Sequence, residues 1–193
     1  MTSEREHWLS ITEDPEWKRN HISDPNIPLD DTLAAITEAF PTNPKRVLEI
    51  GCGYGRLTTE IAKRYPRAWV TGVDVNPDVL PKEEPGNRIT YLCRDNLWHL
   101  PQESRNPHAI YSVAVFQHLP EHEKRDYIFD AAHILRPGGV LRIQFIDGTR
   151  DNFVDHWTPC ELMETWMTQA GLGVSNIDVG LAHHQWTWIT GTK

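Results

Sequence analysis

The sequence predicts an α/β fold, a doubly wound and mostly parallel sheet with helices on both faces. Three observations predict it. Short apolar runs alternate with amphipathic, helix-length stretches from Arg46 onward, the pattern of a parallel sheet whose crossovers are helices. The first run, RVLEI, opens into a turn with glycines at Gly51, Gly53 and Gly55, and such a turn belongs at the carboxyl edge of an open sheet. The chain of 193 residues, 39% hydrophobic and 24% charged, has the size and composition of one globular domain with its own core.

Residues 1–29 form a head punctuated by tryptophan and proline. A short helix near Trp8, a turn at Asp14-Pro15 and a helical turn around Trp17 are expected there, and Pro25 and Pro28 make the approach to the domain irregular. DDTLAAITEA, at 30–39, reads as an amphipathic helix capped by Asp30 or Asp31, with Leu33, Ile36 and Ala39 on one face. Five strands follow: RVLEIG, AWVTGVDV, RITYLCRD, HAIYSVAVF and VLRIQFIDG. RLTTEIAKRYP and EHEKRDYIFDAAHILRPGG are the helices between them, stopped near Pro66 and by Pro137 with its glycines. The tail gives a last helix, CELMETWMTQAG, then two β-prone runs, VSNIDVG and HHQWTWITGTK, expected to pair as an antiparallel end to the sheet. Residues 1–29 are thus an extension and 30–193 the main domain.

Composition removes several classes. No apolar run approaches the roughly 20 residues of a membrane span, and MTSEREHWLS lacks the apolar stretch of a secretory signal. Three scattered cysteines, Cys52, Cys93 and Cys160, are no disulfide framework and favour a cytoplasmic setting. A net charge of −8 disfavours nucleic acid as partner.

The turn after the first strand narrows the ligand. Gly51 and Gly53 fit a dinucleotide fingerprint, but Arg56 stands where its last glycine belongs, and no Lys-Ser or Lys-Thr of a phosphate loop follows. Glu49, just before the turn, would repel a pyrophosphate and suit a cation or a hydrogen-bond donor. Asp74 ends the second strand, where a carboxylate accepts from ribose hydroxyls. Asp95 ends the third, where it or the neighbouring backbone would meet an adenine edge. Three acids at three strand ends describe a nucleoside crevice.

With these residues the chain resembles the class I S-adenosylmethionine-dependent methyltransferases, over roughly residues 30–193. EIGCGYGR looks like their cofactor loop, so the resemblance implies cofactor contacts at Glu49, Gly51, Cys52, Gly53 and Gly55. It assigns Asp74 and Val75 to the ribose, Asp95, Asn96 and Leu97 to the adenine, and Phe116 in FQHL to the lining after strand four. LRPGG resembles the turn before strand five, and Trp157-Thr158 through Ala170-Gly171-Leu172 the late helix. The family's Rossmann-like sheet has seven strands, the last inserted antiparallel, and its N-terminal extensions often lid the cofactor and acceptor site.

Methyl transfer needs an aligned acceptor and, for some acceptors, a base. His118, where strand four ends, is the first candidate base, and Asp147, just beyond strand five, the second. His156 and Trp157 lie where an acceptor pocket would close. Trp8, Trp17 and Trp98 offer faces for an adenine or an apolar or cationic acceptor. His183-His184 has no further ligand at metal spacing, so no metal is expected. Cys160 follows a proline but lies after strand five, which reads as structural. The place after strand four reads VFQH rather than an amino-methylating tetrapeptide. The expected activity is methyl transfer from S-adenosylmethionine to an O, N or S atom of a small-molecule acceptor, giving S-adenosylhomocysteine. A nucleic-acid or protein acceptor is the runner-up, and a catalytically silent binding domain on the same fold is the other class. Monomer and homodimer both stay open.

Overall fold

The computed structural model describes residues 29–82, 88–94, 106–151 and 155–193, with Glu6, Trp8 and Leu9 of the head, which are helical. The remaining head readings, Trp17 included, lie outside the described residues, as do Asp95, Asn96, Leu97 and Trp98. Helix α1 is Leu29–Thr37, followed by β1 Arg46–Ile50, α2 Arg56–Arg64, β2 Trp69–Asp74, β3 Ile89–Cys93 and β4 Ala109–Ser112. After a 3₁₀ turn at Phe116–His118 come α3 Glu121–Ile134, β5 Val140–Phe145, α4 Cys160–Gln169, β6 Gly173–Val179 and β7 Thr187–Thr192.

These strands form one seven-stranded sheet in the order β3-β2-β1-β4-β5-β7-β6. β1 pairs in parallel with β2 and β4, β2 with β3, and β4 with β5. β7 runs antiparallel to both β5 and β6. The period-2 alternation of β1 sorts the two cores. Leu48 and Ile50 face Ile128 and Ala131 of α3 and Met163 and Trp166 of α4. Val47 faces Leu33 and Ile36 of α1 and Leu57 and Ile61 of α2. Each fully buried aliphatic side chain stabilises by about 1.5–3 kcal/mol, so both layers are bound firmly to the sheet.

Some expectations are corrected. Strand four ends at Ser112 rather than Phe116, because Ala114 takes a positive φ of 58° and its N–H leaves the ladder for Gln144 Oε1 at 2.6 Å. Asp30 and Asp31 sit inside the first turn of α1 rather than capping it; there they favour the helix dipole. The buried face of α1 is Thr32, Leu33, Ala35 and Ile36, with Ala39 beyond the helix end. Nothing in the sequence announced Arg142, a buried guanidinium in β5. It donates to Ala35 O at 3.1 Å, to Asp178 at 2.8 Å and to Thr190 Oγ1 at 2.6 Å, tying α1, β6 and β7 together.

Candidate active site

Chain direction across the sheet reverses between β1, which leads outward to β2, and β4, which leads the other way to β5. The carboxyl ends of β1 and β4 therefore diverge, and a crevice opens at this switch point. Gly51–Gly55 leave from one side and Val115–His118 from the other.

The glycine turn is held by its own chain. The N–H groups of Gly51 and Cys52 both donate to Val73 O, at 2.8 and 3.0 Å, and that of Gly55 to Cys52 O at 2.9 Å. Gly53 N donates to Asp74 Oδ2 at 2.8 Å. Gly51, Gly53 and Gly55 all have positive φ, 75°, 50° and 71°, which glycine adopts without the Cβ penalty. A Cβ on Gly55 would fall 2.3 Å from Tyr91 Oη. Cys52 is buried, its Sγ 3.7 Å from Gly53 O, and burial with the neighbouring Glu49 and Asp74 pushes its thiol well above the ordinary range.

Glu49 answers why an acid precedes this turn. It shares the α1–α2 face with Val47 and is buried beneath α2. The Thr58 hydroxyl donates to its carboxyl, Tyr111 Oη donates to Oε2 at 2.9 Å, and the Thr58 N–H adds a third bond. Thr58 belongs to the first turn of α2, whose N–H groups have no partner within the helix, so the acid caps α2 from below. Burial raises its carboxyl to about 8, against the pull of these hydrogen bonds. Glu49 thus braces the turn from below.

Asp74, at the end of β2, joins the two loops of the crevice. Oδ2 holds Gly53 N, and Oδ1 accepts from Asn76 N at 3.0 Å. Burial raises its carboxyl, and the N–H groups of Asn76, Gly53 and Val75 pull it part of the way back. Each oxygen has room for a second donor. Val75, half-buried, accepts from Cys93 Sγ at 3.7 Å. Asn76, which the sequence reading passed over, is buried. Its Oδ1 accepts from Asp78 N at 3.0 Å and its Nδ2 donates to Trp8 O at 2.9 Å. An Asn-Pro pair at a strand exit was the available signal.

Across the crevice, Trp8 packs its ring on His118, centroids 5.1 Å apart. One head residue thus touches the exits of both β2 and β4. Phe116, in the 3₁₀ turn, is buried, its ring 6.2 Å from Tyr127. Asp147 caps α4, accepting from Cys160 N at 2.9 Å. Burial and that same Asp147 raise the Cys160 thiol to about 11, so it stays protonated near neutral pH and is no ready nucleophile. His156 N donates to Gln117 O at 2.6 Å, and its Nδ1 lies 2.5 Å from Asp151 Oδ1. Lys124, fully buried in α3, donates to His156 O and to Thr158 Oγ1 at 2.6 Å. The loop after β5 is thereby fastened beside His118. His183 and His184 stack at 4.4 Å in the β6–β7 connection, and no metal-holding group of side chains occurs among the described residues. Nor is any described helix long and apolar enough to cross a membrane. A cavity of about 230 Å³ lined by Arg46, Trp69, Thr90 and Pro107 lies toward the opposite, amino end of the strands, away from this chemistry.

Residues 47–139 match the sequence family described as a methyltransferase domain. The chain is 32% identical to a trans-aconitate 2-methyltransferase of Streptomyces avermitilis, over 68% of this chain and 49% of that protein. It is 36% identical to one of Rhodopseudomonas palustris, over 58% of this chain and 43% of that one. The chain thus spans about half or less of the length of these relatives. Among solved structures, an O-methyltransferase family protein of Burkholderia thailandensis superposes on the whole chain and 63% of its own, with a TM-score of 0.75 and 15% identity. Magnesium protoporphyrin IX methyltransferase of Synechocystis, solved with bound S-adenosylmethionine, superposes on the whole chain and 98% of its own, with a TM-score of 0.75 and 13% identity. The matched domain contains both the glycine turn and Asp74. The chain therefore belongs to the class I S-adenosylmethionine-dependent methyltransferases, whose cofactor is S-adenosylmethionine.

Proposed function

We propose that the protein transfers a methyl group from S-adenosylmethionine to an O, N or S atom of a small-molecule acceptor held between the exits of β4 and β5. The observation that carries this reading is the bond of Asp74 to Gly53, which sets a carboxylate and a glycine turn side by side at the switch point. Asp74 would take the ribose hydroxyls on its remaining lone pairs, and Gly51–Gly53 would pass beside the methionine part. The cofactor supplies an electrophilic methyl on a sulfonium. The chain's task is alignment, exclusion of water and, for a protonated acceptor, removal of a proton at His118. Relatives named for trans-aconitate make small organic acids the first acceptors to test. Three free thiols suit a cytoplasmic protein. Residues 1–29 act as a lid in this reading, with Trp8 laid from Asn76 to His118.

Calorimetric titration with S-adenosylhomocysteine and with NAD tests the cofactor; NAD binding alone defeats the proposal. Asp74→Ala should weaken cofactor binding roughly 10- to 150-fold, the loss of a charged acceptor worth about 1.5–3 kcal/mol. Titration matching the parent within about twofold would remove Asp74 from the site. S-adenosylhomocysteine release, screened across carboxylates, alcohols, amines and thiols with RNA and protein fractions alongside, then identifies the acceptor. With it in hand, His118→Ala should lower kcat by about 10²–10⁴-fold if the histidine is a base, and Trp8→Ala should raise the acceptor KM while sparing cofactor affinity. An unchanged kcat in His118→Ala across pH 6–9 would leave alignment as the whole of the mechanism.

A further inference from the structure

Two buried side-chain polar atoms, one in the turn after β4 and one in the loop after β5, have no partner. Gln117 is buried, 7% exposed, and its Oε1 meets no donor. Trp157 is half-buried, and its Nε1–H, itself buried, meets no acceptor. Buried side-chain polar atoms are paired in the large majority of cases, and an apolar side chain of the same length would fill Gln117's place without an unmet group. Trp157 follows His156, whose N–H donates to Gln117 O at 2.6 Å, a bond that joins the β4 exit to the loop after β5. That loop is a held backbone: Lys124 fixes it through His156 O and Thr158 Oγ1, and Arg150 lies 5.3 Å over the Trp157 ring. Folding therefore leaves one acceptor atom and one donor atom unmatched on two segments that this backbone bond joins.

We propose that Gln117 Oε1 and Trp157 Nε1 recognise the methyl acceptor, and that this acceptor carries an O–H or N–H donor beside a carboxylate or carbonyl oxygen. The inference rests on the methyl-transfer reading above and narrows its substrate to hydroxy- or amino-acids and their like. The acceptor's donor satisfies Gln117, and its oxygen takes the indole N–H. A molecule with oxygens alone leaves Gln117 unmet. Sites built to bond a substrate hydroxyl discriminate strongly against the analogue that lacks it, since their own polar group is then left bare.

The test uses the full chain loaded with S-adenosylhomocysteine and acids matched except for one donor: citrate against tricarballylate, malate against succinate, salicylate against benzoate. At least one pair should split by about tenfold or more in favour of the donor-bearing member. Gln117→Met should close that split to within about twofold while melting no lower than the parent. Trp157→Phe should weaken both members together. The proposal is overturned if no pair splits, if the split survives Gln117→Met, or if Gln117→Met melts more than about 4 °C below the parent, since the amide would then serve the fold. Absence of S-adenosylhomocysteine binding would instead remove the methyl-transfer reading, and this inference with it; binding without a split removes this inference alone.

Discussion

Glu49→Gln is expected to stabilise the protein at alkaline pH and leave it nearly unchanged in acid. The Glu49 carboxyl titrates at about 8 in the folded chain, against 4.5 without the fold. Between those values the native state keeps a proton that the unfolded chain has released. Stability from this group is therefore full below pH 4.5 and declines as the pH rises toward 8. A carboxyl displaced that far corresponds to on the order of 5 kcal/mol. Glutamine keeps an oxygen for the Thr58 and Tyr111 hydroxyls and has no charge to bury. Melting curves of parent and variant from pH 5 to pH 9 should thus diverge with pH, by roughly 10–20 °C at the alkaline end. Every other titrating group is common to both proteins, so the difference between them isolates Glu49. A constant difference over that range would mean that Glu49 is ionised beneath α2 at neutral pH.

The role of Glu49 was partly legible. It stands two residues after Val47, so the alternation of β1 already assigned it to the face beneath α2 rather than to the crevice. The sequence reading placed it by its neighbours along the chain and made it a ligand residue. The sheet was readable because apolar runs and glycine or proline stops are local signals, and the paired runs of the tail became β6 and β7. β4 overran because VAVF is as apolar as a strand, and the left-handed Ala114 carries no such mark.

What stayed hidden was long-range. Asp147 looked like a turn residue open to an acceptor, but its partner, Cys160 N, lies 13 residues along. The packing of Phe116 against Tyr127 joins residues 11 positions apart, which no local pattern announces. The contact of Trp8 with Asn76 and His118 spans the chain from its head to the middle of the domain. The unmet atoms of Gln117 and Trp157 are properties of packing, which no spacing of residue types encodes.

Gly51→Ala is expected to be the most damaging conservative change in the crevice, and for a reason other than ligand approach. Gly51 has φ +75°, and a Cβ built there falls 2.1 Å from Val115 Cγ2 and 3.2 Å from both Val115 Cβ and Cγ1. Left-handed backbone at alanine costs about 1–2 kcal/mol, and forcing the turn away from Val115 adds about 1–3 kcal/mol of overpacking. The turn has little freedom to yield, because Gly51 N and Cys52 N are both bonded to Val73 O. The variant should therefore melt roughly 4–20 °C below the parent. S-adenosylhomocysteine affinity should fall as well, since the displaced residue carries Gly53 and Asp74 with it. Val115→Ala separates the two causes: it removes Cγ2, the nearest atom, and leaves the strain of φ untouched. In a double-mutant cycle, Gly51→Ala should be less harmful in the Val115→Ala background by about 1–3 kcal/mol. A coupling near zero would assign the whole loss to backbone conformation. A Gly51→Ala protein that melts with the parent but no longer binds S-adenosylhomocysteine would show instead that the ligand, and not the exit of β4, is what requires a bare backbone at this turn.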